Sequence, residues 1–202
     1  PVACPACGSP VVHEGDEVAY RCISLDCPAQ LKERLIHWVS RGCMDVDGVG
    51  DELIDKMIEA GLLHDVADFY LLDVDAIAAL DTGRTYAKDD KKKGVAAGDS
   101  IKVGTAIATK VMDELIRSKE QPLSRVLFAL GIRHVGKSVA EVLAKRFLTI
   151  DALAAASEED IAACEGIGPK IAASVREFLS VPENLEVLQR LRDVGLTLEE
   201  NL

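Results

Sequence analysis

Aromatic side chains are scarce in this chain: one Trp, three Tyr and four Phe make up 4% of 202 residues. Strands are filled mainly by aromatic and β-branched residues, whereas Ala, Leu, Glu and Lys favour helix, so the composition argues against a large sheet and for a mostly α fold. Net positive charge is missing too, the balance being −11. That excludes a grip on nucleic acid by bulk electrostatics, but not phosphate sites made of backbone amides and a few cations. No apolar run approaches the ~20 residues of a membrane helix, and no basic start followed by a hydrophobic stretch opens the sequence. Neither a membrane partner nor export is expected. The apolar fraction, 49%, suffices for the core of one or two domains.

Six cysteines without a secretory signal suggest metal or free thiols rather than disulfides. Four of them, Cys4, Cys7, Cys22 and Cys27, form C-x2-C-x14-C-x4-C. Two close pairs on turns bring four thiolates around one tetrahedral ion at small entropic cost, so this spacing points to Zn2+. The alternative is two disulfides or four free thiols. Residues 11–14 and 18–21 read as two short strands about Gly15-Asp16, and so small a segment needs the metal to hold it together. A Cys4 site is closed to water and substrate, so the single ion is expected to be structural. His13 sits mid-strand and is read as surface, and Cys43 and Cys164 as small hydrophobes without chemistry.

Four segments share one frame. They are Val49-Gly50-Asp51-Glu52-Leu53-Ile54, Val103-Gly104-Thr105-Ala106-Ile107-Ala108, Val135-Gly136-Lys137-Ser138-Val139-Ala140 and Ile167-Gly168-Pro169-Lys170-Ile171-Ala172. Apolar residues recur three, four and seven positions past each glycine, the stripe of a helix that starts just after it. Gly48, Gly131 and Gly166 add a second glycine to the first, third and fourth copies, and Pro169 suits a first helical position. Amphipathic stretches at 31–40, 74–80, 123–130 and 158–164 precede the loops, giving a unit of helix, tight glycine hairpin, helix. The last three glycines recur every 32 residues, a spacing typical of stacked repeats. The first two copies lie 54 apart, the excess being a polar insertion at 82–101, read as a mobile loop.

Helix starts carry unpartnered amide N–H groups and a partial positive charge, and glycine lets an anion approach them. Paired hairpins of this kind can follow the two backbones of a duplex without reading its bases. For one hairpin a plain tight turn is the simpler explanation; four in register weaken it. Asp51 and Glu52 would repel a phosphate, so the first copy is expected to be structural. The expected DNA contacts are Gly104 and Thr105 in the second copy, Gly131, Arg133, His134, Gly136 and Lys137 in the third, and Gly166, Gly168 and Lys170 in the fourth. Trp38 is read as core, while Lys32, Arg34 and Arg41 face either DNA or water. "GIRHVGKS" also matches the phosphate-loop pattern GxxxxGK[ST], but that loop needs a parallel sheet and a distant metal-binding Asp, and the sequence offers too few strands.

A Cys4 finger followed by four such units resembles the carboxy-terminal half of bacterial NAD-dependent DNA ligases. The likeness runs from the CPxCG start through "RCISLDCPAQLKERLIHWVSRGCMDVDGVGDELI", "LSRVLFALGIRHVGKSVAEVLA" and "EGIGPKIAASVREFL". It implies a mainly α fold, four helix-hairpin-helix repeats at 30–202 preceded by a small Cys4 zinc finger with a short β-hairpin at 1–29, the 82–101 insertion being flexible. It also implies a part that holds nicked duplex DNA, in replication and repair, through its backbone. The family's adenylated lysine lies in KxDG, and the nearest match here, Lys88-Asp89-Asp90-Lys91, lacks the glycine. No catalytic residue is therefore expected, NAD and Mg2+ would bind outside this segment, and adenylation, oligonucleotide-binding (OB) and BRCT domains of the same parent chain would be its neighbours. The setting implied is the bacterial cytoplasm, near the nucleoid. The alternative is a stand-alone, structure-recognising repair module. The 82–101 insertion departs from the family's short turn and puts the second hairpin's phosphate contact in question.

Overall fold

The structure is a computed structural model; it describes residues 2–201 and is mainly helical. The finger contributes β1 (Val11–His13) and β2 (Tyr20–Cys22), antiparallel with Val11 opposite Cys22 and His13 opposite Tyr20. A 3-10 turn at Pro28–Gln30 then feeds α1 (Leu31–Val39). The first repeat pairs α1 with α2 (Asp51–Glu59), and a buried 3-10 connector, Val66–Leu71, leads on to α3 (Val74–Ala78) and α4 (Thr105–Ser118). The second half repeats this plan: α5 (Leu123–Ala129) and α6 (Lys137–Phe147), a connector α7 (Ile150–Ala155), then α8 (Glu158–Ala162) and α9 (Pro169–Ser180), with α10 (Pro182–Asp193) closing the chain. All four predicted units are present, each second helix starting at the residue after its glycine.

The stripe that defined the repeat is also the one that packs. Ile54 and Met57, Ala108 and Val111, Ala140 and Leu143, and Ala172 and Val175 are all buried. The residue three past each glycine is only half-buried, and Ile107 is 51% exposed, so the core face is narrower than the sequence stripe. Trp38 is fully buried, as expected of a core residue, and its indole N–H donates to the Tyr70 hydroxyl, itself bonded to Ser118. The segment ahead of Gly131 is helix α5, and the two sheets among the described residues are antiparallel pairs. The phosphate-loop match thus lacks the strand and parallel sheet that its chemistry requires.

The 82–101 stretch, read from the sequence as a mobile loop, has secondary structure of its own. It carries β3 (Asp81–Thr85) and β4 (Ser100–Lys102), antiparallel with Asp81 opposite Lys102 and Thr85 opposite Ser100, and a further bridge joins Asp90 to Val95. Alternating hydrophobicity does not build this ribbon; aspartates do. Asp81 accepts from the N–H of Gly83, Asp89 from Ala97, Asp90 from Lys92 and Asp99 from Ala96, at 2.7–3.0 Å. The bonds of Asp81 and Asp90 form Asx turns, while Asp89 and Asp99 bond amides eight residues on and three residues back; together they fold a polar segment without any apolar pattern to betray it.

Two devices lock the halves together. Fully buried Asn184 of α10 accepts from the N–H of Leu25 at 2.7 Å and donates to the carbonyls of Ile23 and Phe178, fastening the finger's second cysteine loop to the last helices. Arg190 of the same helix reaches the connector, where it bonds Asp65 and lies 2.5 Å from Asp68. Burial pushes the Asp65 carboxyl up; burial acts on Asp68 as well, but bonds from Arg190 and His64 outweigh it and hold that group below the usual range. Removing the cation from a largely buried pair leaves the anions uncompensated. Arg190→Met is therefore expected to lower unfolding free energy by about 3 kcal/mol at neutral pH, with the deficit shrinking in acid as the stranded carboxylates protonate. Denaturant melts at several pH values check this, and an unchanged midpoint would contradict it.

Candidate metal centre and nucleic-acid interface

The four expected ligands converge. The sulfurs of Cys4, Cys7, Cys22 and Cys27 all lie within 4.8 Å of one another, with Cys4 to Cys27 at 3.8 Å and Cys7 to Cys22 at 3.5 Å. A disulfide needs ~2.05 Å, whereas a tetrahedron with Zn–S bonds of ~2.3 Å has edges of ~3.8 Å. The donor set therefore fits a zinc ion and excludes the disulfide alternative in this conformation. The amides of Ala6 and Cys7 lower the Cys4 thiol to about 7, while burial pushes Cys22 up to about 12 and raises Cys27 as well. Four clustered thiolates are sustained only by a cation among them. His13 lies outside the cluster, exposed and stacked on Tyr20. Support comes from α1, whose Arg34 donates to Gln30, which donates in turn to the Cys22 carbonyl.

The four hairpin mouths share one feature. Helices α2, α4, α6 and α9 start behind Gly50, Gly104, Gly136 and Gly168, and none of these four starts has a side-chain cap. By contrast α3, α7 and α8 are capped by Asp73, Thr149 and Ser157. The first amides of α5 are covered by the Glu199 carbonyl and the Glu200 carboxylate. Helix α1 runs on from a 3-10 turn and α10, like α9, opens on a proline; neither α1 nor α10 has a side-chain cap, but neither starts behind a glycine. A Cβ added to any of the four hairpin glycines would meet nothing within 4 Å. Their first amides are thus both unpartnered by side chains and open to approach. Val49, Val135 and Ile167, one residue earlier, are buried and pin three of the loops to the core.

The turn geometry corrects the sequence alignment at one point. Two residues ahead of the capping glycine stand Gly48, His134 and Gly166, with φ of 85°, 66° and 80°. His134, not Gly131, is the structural counterpart of the other two glycines; Gly131 terminates α5. A left-handed histidine gives no sequence signal. The second hairpin enters from β4 instead, and Gly104 itself takes φ 85°. Its Thr105 is exposed, and its mouth shares a groove of about 380 Å³ with that of the first repeat, lined by Gly50, Asp51, Glu52, Ile107 and Arg84.

Of the expected DNA-contacting cations, only Lys137 stands exposed beside its mouth with no ion partner among the described residues. Arg133, His134 and Lys170 converge instead on the finger's turn. Arg133 Nε lies 3.0 Å from Glu14 and its Nη2 2.8 Å from Glu17; His134 Nε2 lies 2.8 Å and Lys170 Nζ 3.5 Å from Glu14. Ser174 of α9 donates to the Arg133 carbonyl. Of the three flanking cations on and after α1, Lys32 is paired with Asp55, Arg34 is bonded to Gln30, and Arg41 is exposed. The clamp on the finger is not legible in the sequence, because its partners are 119 residues apart and charge alone does not pair them.

Cys22→Ser is expected to abolish stoichiometric zinc and loosen the 3–29 segment, as metal analysis and far-ultraviolet dichroism would show; full retention of metal would contradict the ligand set. Hydrogen bonding to His134, with Arg133 beside it, lowers Glu14 from its usual 4.5 to about 2. A depressed carboxyl stabilises above its unfolded value, so the clamp is expected to persist at pH 5 and to open as pH falls towards 2. Arg133→Ala should open it at neutral pH, read as faster amide exchange at residues 11–22.

Two family profiles match. One, the NAD-dependent DNA ligase C4 zinc finger domain, covers residues 3–29. The other, the helix-hairpin-helix motif, covers residues 125–196. Relatives include the DNA ligase of Synechococcus sp. (strain CC9605), 43% identical over 98% of this chain and 27% of that protein. That of Halothermothrix orenii is 41% identical over 99% of this chain and 27% of its own length, and that of Acidobacterium capsulatum 37% identical over 97% and 26%. The chain spans about a quarter of the length of the curated relatives it matches. With its tetrathiolate finger, its four glycine hairpins and relatives aligned along nearly its whole length, the chain is similar to a zinc finger and helix-hairpin-helix portion of NAD-dependent DNA ligases.

Proposed function

We propose that this chain is the duplex-holding part of an NAD-dependent DNA ligase, gripping nicked DNA by its phosphates regardless of sequence. The observation that carries the reading is the contrast between capped and uncapped helix starts. Helices α3, α7 and α8 are capped by side chains and α5 by the chain's end, whereas the four hairpin helices leave their amides open. Backbone N–H groups bond phosphate oxygens without reading bases, which is what an enzyme sealing nicks in any sequence needs. Lys137 supplies a cation at the third mouth, and amides of Gly136 and Gly168 supply the donors.

The finger and hairpin regions, divided near residue 29, would act as one holding surface, the zinc being structural. The remaining expectations rest on the relatives. The adenylation, OB and BRCT domains of a parent chain would bind NAD and Mg2+ and perform the chemistry, in the cytoplasm of a bacterium and close to its nucleoid. No helix among the described residues is long and apolar enough to cross a membrane.

Gly136 and Gly168 have φ of −84° and −90°, which any residue adopts, and open space around them. Gly136→Val and Gly168→Val should therefore leave the fold intact while a side chain blocks the phosphate. Each is expected to weaken nicked-duplex binding by about tenfold, the worth of one charge-assisted hydrogen bond, and equally for duplexes of different sequence. Unchanged affinity in both variants would overturn the hairpin mechanism.

A further inference from the structure

The β3–β4 ribbon belongs neither to the finger nor to the helix-hairpin-helix plan. In a chain of net charge −11, residues 81–102 hold six cations against four aspartates. All four aspartates are turned onto the ribbon's own backbone amides. Lys102 and Lys93 lie 3.6 and 4.0 Å from Asp81 and Asp90. Arg84, Lys88, Lys91 and Lys92 have no ion partner among the described residues, and all four are exposed. The acids thus build the scaffold, and the cations project from it.

Position matters as much as charge. The root of the ribbon, Thr82 and Arg84, lines the groove shared by the first two hairpin mouths. From Arg84 to the bridge at Asp90 the chain reaches at most roughly 20 Å, several phosphate spacings along one DNA strand. The first mouth carries Asp51 and Glu52, which repel phosphate, and Lys56, the cation that α2 puts into the groove, lies 3.4 Å from Glu59, so repeats one and two bring open amides but no unpaired cation of their own to that groove. The ribbon places cations beside it.

We propose that the β3–β4 ribbon is a DNA-contacting arm, with Arg84, Lys88, Lys91 and Lys92 bonding the phosphate backbone of the same duplex beyond the first and second hairpins. The proposal rests on the reading of the chain as a duplex-holding module. The partner is double-stranded DNA, recognised as a row of phosphates, and the arm adds length to the footprint, not sequence preference. None of residues 84–100 belongs to the hydrophobic core, so the ribbon's cations are removable without disturbing the fold.

The test is nicked-duplex binding by the 202-residue chain over a salt series, with hydroxyl-radical footprints. Each phosphate that the protein ceases to neutralise makes the slope of log K against log salt shallower by about 0.9. The R84Q/K88Q/K91Q/K92Q variant is expected to release about two to four phosphates and to shorten the footprint at one end, while K88R/K91R/K92R keeps both slope and footprint. A weaker variant whose footprint keeps its length would reveal only a change in overall charge and would overturn the proposal. So would an unchanged slope. In both of those cases, binding by the unaltered chain and its weakening in Gly136→Val leave the hairpin reading standing. Failure of the unaltered chain to bind duplex at all would remove the hairpin reading and the arm together.

Discussion

The first amides of a helix have no partner inside it, and the hairpin repeats are arranged so that at four helix starts no side chain of the protein supplies one. Each ingredient of the repeat serves that end. Glycine at the cap removes the side chain that would cover the amides. In three of the four, the left-handed residue two positions earlier turns the chain sharply, and a buried Val or Ile between the two anchors the loop to the core. The stripe at four and seven residues past the glycine then fixes the helix from below. A glycine cap costs stability relative to Ser, Thr or Asp, on the order of a few tenths of a kcal/mol per helix. The adjacent α3, α7 and α8 show that this chain does use capping side chains at other helix starts.

The finger depends on the same loops for a different reason. A segment of this size has no core of its own beyond the metal, and three attachments hold it to the helices. They are the Asn184 hydrogen bonds, the Gln30 and Arg34 chain to the Cys22 carbonyl, and the clamp of Glu14 and Glu17 on Arg133, His134 and Lys170. The clamp gives cations of the third and fourth hairpins a role that their composition alone would have assigned to phosphate. It also explains how His134 is held in the left-handed region without being glycine: its ring is held by Glu14 while its backbone turns the hairpin. Zinc, clamp and hairpin are therefore mechanically connected.

Much of this is legible in the residues, and what is not has a common cause. Four cysteines at tight spacing and a glycine frame repeated with helical periodicity are local signals, and both are met at the expected residues. The clamp, the Asn184 anchor and the Arg190 link join positions more than 100 apart in the chain, and no local pattern specifies which acid meets which base. The ribbon escapes for a second reason. Its order comes from aspartates bonded to nearby amides, a polar arrangement that reads as loop composition when hydrophobic alternation is the criterion. His134 escapes because a left-handed non-glycine residue depends on a partner elsewhere in the fold.

Net charge is a poor guide to the local potential of such a surface, and the structure shows why. An acidic total counts every carboxylate equally, although the carboxylates here are not equally available to a ligand. Asp73 is engaged by an amide at a helix start, Asp81, Asp89, Asp90 and Asp99 by the ribbon's amides, Asp65 and Asp68 by Arg190, and Glu14 and Glu17 by Arg133. Each of these carboxylates is partly neutralised by the donors it faces and has its position fixed. The open amides at the four mouths, in turn, contribute positive potential that no residue count includes. A phosphate placed at the third mouth would meet a set of donors and Lys137, the molecule's total of −11 being felt there only after screening over a Debye length of ~8–10 Å.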